Sequence, residues 1–490
     1  MQERLRRAAL VAGAAWAVAA SASAQAHPCR VPGIRTEVRC GSVMRPLDPG
    51  RANGTRIEIH YVVVPAVSRR KLPDAVFLLA GGPGQSAISL APGLLPLFSR
   101  LNNRRDIVFV DQRGTGRSAP LRCDDPRELP LAEQADPLAQ ERLVLKCRES
   151  LSQLPWLGGS AGLGHFTTWV AMQDLEAVRQ QLGGAPVNLV GGSYGTRAAL
   201  EFLRQFPSGV RRMVLDGVAP PDMALPAAGS ADSQAALDAM FLACDAEAAC
   251  ASRYPQLRAD WAGLLKRLPL SVAVASPLTG RVERFVLSRG MLLQLVRGPL
   301  YAPALASALP AALHEAAQGR LQGLAGLAAA VEGRRDASLA MGMHFSVVCA
   351  EDAPRIAETT EHPGADFGIG MTASYGRICE AWPRGEVPEA FYRVSTSPVP
   401  VLLFSGGLDP ATPPRHARRV AAALGSKALH VVVANAGHGV MTIGCARDLV
   451  SRFIDAAGDA EALELDAECL RRIPRPGAFA PVETLPRSGR

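Results

Sequence analysis

The chain has 490 residues, 48 % of them hydrophobic, which is enough apolar side chain for a large core and more than one structural unit. Its formal charge of +8 is spread along the length and only 5 % of residues are aromatic, so the basic, aromatic-studded face of a nucleic-acid binder is missing. Beyond the apolar run at the start, no stretch is long and uncharged enough to span a bilayer.

The first segment has three parts. Arg4, Arg6 and Arg7 precede the apolar run Ala8–Ala20, and Ala24-Gln-Ala26 supplies a small-x-small cleavage site. This pattern predicts a signal peptide over 1–26, a mature chain starting at His27, and export to the periplasm or the medium. Loss of the segment lowers the formal charge to about +6. The ten cysteines suit an oxidising compartment. They fall in neighbouring couples: Cys29 and Cys40, Cys123 and Cys147, Cys244 and Cys250, Cys349 and Cys379, Cys445 and Cys469. Pairing in that order is the expectation, although spacing does not dictate connectivity. No C-x-x-C or Cys/His ligand spacing appears, so no metal site is expected.

Val/Ile/Leu-rich runs near 57–65, 75–80, 106–111, 187–190 and 212–216 read as strands, alternating with helical stretches such as Thr168–Leu182. Such strands suit a mostly parallel sheet covered by helices on both faces. The run 75–80 opens into Gly81-Gly-Pro-Gly84, where backbone N–H groups can approach a ligand closely. The run 106–111 opens into Asp111-Gln-Arg-Gly-Thr-Gly-Arg-Ser118, which lacks the following helix with Lys-Ser/Thr that a nucleotide-binding loop requires. Asp111 and Arg113 are expected to pair with each other there.

Gly191-Gly-Ser-Tyr-Gly195 follows the strand 187–190 and precedes a predicted helix over Thr196–Phe206. A strand, a sharp turn and a helix would lift Ser193 above the sheet, the arrangement of a nucleophile elbow. A serine nucleophile needs a base, and the base needs an orienting acid. Downstream, Pro400–Phe404 reads as a strand opening into a loop with Asp409, and Ala428–Val433 as a strand followed by Asn435-Ala-Gly-His438. Ser193, Asp409 and His438 thus each follow a strand, in the order Ser, acid, His. Asp216, at the end of 212–216, is the rival acid. His60 and His430 lie within strands, and the other histidines lack a Gly-flanked setting at a strand end. The oxyanion is assigned to the N–H groups of Tyr194 and Gly82, with Gly81 in reserve.

Gly81–Gly84, Asp111–Ser118, Gly191–Gly195, the Asp409 loop and Asn435–His438 together resemble prolyl-iminopeptidase-like serine peptidases, and more closely their secreted tripeptidyl-aminopeptidase branch. The likeness runs over about residues 28 to 475 and implies an α/β-hydrolase fold and exopeptidase activity on peptides with a free N-terminus, with no cofactor. Ala80 stands where prolyl iminopeptidases usually have His, which weakens strict proline specificity more than catalysis.

The expected organisation is a signal peptide (1–26), a core segment (27–221), a helical cap (222–396), a second core segment (397–475) and a tail (476–490). A cap over the serine could present a carboxylate to a substrate ammonium group. Glu351 and Asp352 beside Cys349, and Glu380 beside Cys379, are the candidates, with Trp382 as an apolar wall. Solvated surface acids are an equal reading of them. An esterase or lipase using the same triad and a non-catalytic binding protein on the same fold are the alternative functions. Oligomeric state is not legible in the sequence.

Overall fold

Alternating side-chain direction turns the Val/Ile/Leu runs of this chain into strands buried on both faces. A computed structural model describes residues 26–125, 129–332 and 339–479; the expected signal peptide up to Gln25 and residues 480–490 lie outside them. Its strands are β1 (His27–Cys29), β2 (Val38–Pro46), β3 (Arg56–Val64), β4 (Val76–Leu79), β5 (Ile107–Val110), β6 (Val187–Gly192), β7 (Val210–Asp216), β8 (Leu270–Ala275), β9 (Val282–Leu287), β10 (Val401–Gly406) and β11 (Ala428–Val433). Nine of them form one sheet in the order β1-β2-β3-β5-β4-β6-β7-β10-β11. Pairing is antiparallel from β1 to β5 through β2 and β3, and parallel from β5 to β11.

The two faces of the sheet build separate layers. Leu189, Met213, Leu215 and Leu403 point into a cluster with Phe202, Val178 and Val420, carried by the helices Tyr194–Gln205, Thr168–Gln181 and Pro414–Leu424. Their neighbours Val190, Val214, Leu402 and Phe404 face the opposite way, onto Phe98, Leu449 and Phe453. Each fully buried side chain of this kind contributes roughly 1.5–3 kcal/mol. The helix after Ser193 runs from Tyr194 to Gln205, two residues earlier at its start than the sequence suggests. It ends at Phe206 because Pro207 disfavours helical backbone in the residue before it.

Two features differ from expectation. The segment between β7 and β10 is not wholly helical, because β8 and β9 form an antiparallel hairpin within it. Leu270-Ser-Val-Ala-Val-Ala275 alternates in side-chain size, and Val282-Glu-Arg-Phe-Val-Leu287 carries β-branched and aromatic residues, a strand signal hidden in Ala/Leu-rich surroundings. The same segment also divides between two cores. Leu237, Trp261, Leu292 and Leu313 belong to a cluster of their own, whereas Met343, Phe345, Cys349 and Trp382 join the core beneath the sheet.

All five disulfides join the cysteines in sequence order. The tail up to Phe479 straps across the insertion, with Arg475 donating to Ala239 O at 3.1 Å and Phe479 N to Ser307 O at 2.9 Å. Among the described residues, no helix is long and apolar enough to cross a membrane, and no cluster of three or more His, Cys, Asp or Glu could hold a metal.

Candidate active site

Ser193 sits between β6 and the helix Tyr194–Gln205 with φ 54° and ψ −125°; among the described residues only Ala119 is another non-glycine with positive φ. Such backbone costs on the order of 1–3 kcal/mol and persists only where the surroundings impose it. Here they do. A Cβ on Gly191 would run into Gly195 O, and one on Gly195 into Leu79 O, so both positions require glycine. Tyr194 N–H lies in the first helical turn, where backbone donors have no intrahelical acceptor.

The carbonyl of Asp216 accepts the Ser193 N–H at 2.8 Å. The Asp216 carboxylate accepts from Val440 N at 2.9 Å and Met441 N at 2.8 Å, just beyond His438. Gly217, next in sequence, passes so close to the imidazole that a Cβ there would lie 3.1 Å from His438 Cε1. Asp216 therefore ties the serine turn to the histidine loop.

Asp409 is the carboxylate that meets the histidine. Its Oδ2 lies 2.8 Å from His438 Nδ1 and accepts from Thr412 Oγ1 at 2.7 Å, while Oδ1 accepts from Ala411 N and Thr412 N at 2.8 and 2.9 Å. Burial pushes the Asp409 carboxyl up, but the His438 charge and these hydrogen bonds outweigh it and hold its pKa at about 2. Burial pulls the His438 pKa down, and the charge and hydrogen bond of Asp409 more than reverse this, raising it above its ordinary value. The imidazole keeps its Nδ1 proton on Asp409, which leaves Nε2 as the basic nitrogen. Tyr301 stands edge-on to the ring with centroids 5.2 Å apart, and its carbonyl accepts the His438 N–H at 2.9 Å. Among the described residues no hydrogen bond joins Ser193 Oγ to His438. Contacts of that kind often tighten only once substrate is bound.

Gly81–Gly84 crosses the serine turn. A Cβ on Gly81 would lie 3.2 Å from Ser193 Cβ and 3.3 Å from Gly192 O. Sequence reasoning missed what holds this loop. His344, buried on the helix Met341–Glu351, places Nδ1 3.1 Å from Pro83 O and Nε2 2.9 Å from the Tyr375 hydroxyl. A carbonyl can only accept, so the proton sits on Nδ1 and the tyrosine donates to Nε2. Burial lowers the His344 pKa and keeps the ring neutral. No sequence signal marks this residue, because its partners are distant along the chain.

Three expectations need correction. Glu351 and Asp352 do not face a substrate: both side chains are fully buried against Arg197, which donates to Asp352 Oδ2 and Oδ1 at 3.1 and 3.0 Å. Glu351 also accepts from Thr168 N and Thr168 Oγ1, and that hydroxyl meets Tyr194 OH. Trp382 is likewise buried, packed on Phe345 with its Nε1–H on Ser346 Oγ at 3.1 Å, and is not a wall of the site. Asp111 and Arg113 do not pair. Arg113 grips Asp174 with two hydrogen bonds and caps Leu47 O and His165 O, because its five donors need more acceptors than one aspartate offers. Asp111 instead accepts from Ser86 Oγ at 2.6 Å and Ile88 N at 3.1 Å, bracing the helix that follows the Gly81–Gly84 loop. Glu380 is exposed.

Comparison with known proteins locates two matches. Residues 74–249 match the family described as α/β hydrolase fold, and residues 365–469 match the one described as TAP-like protein. The tripeptidyl aminopeptidase of Streptomyces lividans is 31 % identical over 192 residues, 38 % of this chain and 36 % of that protein. The serine protease Hip1 of Mycobacterium tuberculosis is 29 % identical over 212 residues, 40 % of this chain and 39 % of that protein. The chain thus matches well under half the length of these relatives. A solved structure of a proline iminopeptidase-related protein from Thermus thermophilus aligns over 86 % of this chain and 95 % of its own, with 18 % identity and a TM-score of 0.35.

Proposed function

We propose that this chain, an α/β-hydrolase whose C-terminal segment is TAP-like, is an exported serine peptidase that removes an amino acid, dipeptide or tripeptide from the N-terminus of peptides. One observation carries the reading most: a serine held at positive φ on a strand-to-helix turn, tied through Asp216 to the loop of a carboxylate-held histidine. The likeness to a tripeptidyl aminopeptidase supports the peptide substrate, and the five disulfides with the expected signal peptide support export.

In this mechanism His438 Nε2 takes the proton of Ser193 as its oxygen attacks the scissile carbonyl. Asp409 orients the ring and stabilises the imidazolium. The N–H groups of Tyr194 and Gly82 hold the oxyanion, the shortened peptide leaves with the proton from His438, and water releases the acyl group. The sealing of Glu351 and Asp352 favours a second reading, an esterase indifferent to a free amine, because it removes two candidate anchors for that amine.

Matched peptides with free and acetylated N-termini, with Ser193→Ala as control, separate the two. Cleavage confined to free peptides and lost in the variant supports the aminopeptidase, and product masses give the size of the released unit. Hydrolysis of simple esters through Ser193 with neither peptide cut overturns it.

A further inference from the structure

The buried arginines of this protein are matched to acceptors. Arg113 meets Asp174, Arg105 meets Asp74, Arg197 meets Asp352 and Glu351, and Arg212 is spent on main-chain carbonyls. Arg297, half-buried near the end of the helix Arg289–Leu300, departs from that pattern. Its Nε donates to the neutral hydroxyl of Ser233 at 2.9 Å, and the guanidinium lies over the Tyr301 ring, 5.2 Å from its centroid. Among the described residues no carboxylate lies within ion-pair distance of it.

Its position gives this weight. Tyr301 is the ring that stands edge-on to His438, so the guanidinium is one aromatic ring removed from the imidazole. Ser233, held by Arg297, donates to Pro410 O at 3.2 Å, the residue after Asp409. Gly229 lies beside the guanidinium, where a Cβ would stand 3.9 Å from Arg297 Nη2 and 2.8 Å from Met371 Cε. A planar cation with unspent N–H donors, rigidly aimed by a hydroxyl and a ring, matches a carboxylate in two-pronged geometry.

We propose that Arg297 is a specificity-determining residue that receives a carboxylate of the substrate during Ser193-dependent hydrolysis. The proposal rests on the serine-hydrolase reading of the site, though not on the peptide being its substrate. The carboxylate can come from an acidic side chain of the released unit or from the C-terminus of a short leaving peptide; both present the same anion.

The test compares wild type, Arg297→Gln and Arg297→Lys on paired substrates. One pair carries Glu or Gln in the released unit, and one ends in a free or amidated C-terminus. A third pair, activated esters of a dicarboxylic acid and of its monoamide, needs no peptidase activity. Wild type is expected to favour one acid over its amide by about tenfold or more in kcat/KM, mainly through KM. Arg297→Gln should erase that preference while leaving the amide substrate within about threefold, and Arg297→Lys should restore part of it. Which pair responds identifies the source of the carboxylate. Equal handling of acid and amide by wild type in all three pairs overturns the proposal, as does an equal loss on both members in Arg297→Gln, which would mark Arg297 as a mere support for Tyr301. If Arg297→Gln fails to fold, the wild-type preference and Arg297→Lys decide the matter. If esters alone are hydrolysed, the peptidase reading fails while the ester pair still tests Arg297.

Discussion

Asp352→Asn separates a buried structural ion pair from a substrate anchor. Asp352 accepts two hydrogen bonds from Arg197 and a third from Leu225 N at 3.0 Å, and neither charged side chain touches water. Breaking a buried pair by removing one charge costs about 3–5 kcal/mol, since the other charge is left without its counter-ion. Two effects reduce this. Asparagine keeps one accepting oxygen, and Glu351, whose pKa burial raises to about 7 despite Arg197, can ionise in place of the lost aspartate. The expected loss is therefore about 2–3 kcal/mol. At roughly 2.1 cal/mol/K of unfolding entropy per residue, a chain of this length gains about 1 kcal/mol/K on melting, so Tm should fall by about 2–3 °C. Differential scanning calorimetry reads that shift, and kcat/KM at 25 °C on free and acetylated peptides should stay within about threefold of wild type. An unchanged Tm with a hundredfold loss confined to free-amine peptides would refute the reasoning and put the carboxylate in contact with substrate.

Glu351 should also shape stability against pH. Its folded pKa of about 7 exceeds the ordinary 4.5, so its contribution is full below about pH 4.5 and is lost as pH rises through 7; Glu351→Gln should flatten that part of the unfolding profile. Asp409 has the opposite sign. Its pKa of about 2 means that its contribution is present above about pH 4 and lost as pH falls toward 2. Asp409→Asn should lower kcat by roughly 10³–10⁴-fold and move the acid limb of kcat/KM to lower pH, because His438 loses the charge that raises its pKa. An unmoved limb in steady-state pH profiles would disprove that coupling. His344→Phe removes the donor to Pro83 O, and kcat should fall by about ten- to a hundredfold with KM nearly constant as the Gly81–Gly84 loop loosens. Unchanged kcat would show that the loop holds itself.

The amino-acid sequence by itself determined the features governed by local chemistry. The strands from β3 to β7, with β10 and β11, declared themselves as short Val/Ile/Leu runs, whereas β1, β2, β8 and β9 did not; the turn at Ser193 showed as a pair of glycines at positions where a Cβ would strike backbone. Asp409 and His438 were legible because each sits on a loop at a strand end, and adjacent parallel strands bring such loops side by side. Cysteines close in sequence met each other for the same short-range reason. Tertiary structure decided the rest. Whether Glu351 and Asp352 met solvent or Arg197 depended on how the helix Met341–Glu351 packs onto the helix that begins beside the serine, a contact across about 150 residues of chain. Asp111 and Arg113 parted because Ser86 and Asp174, invisible as partners in the sequence, offered each a better hydrogen-bond set. His344 meets Pro83, and Arg297 meets the ring beside His438, only where the insertion folds back over those loops. Charge and hydrogen-bond partners across such distances are set by packing, which no local pattern encodes.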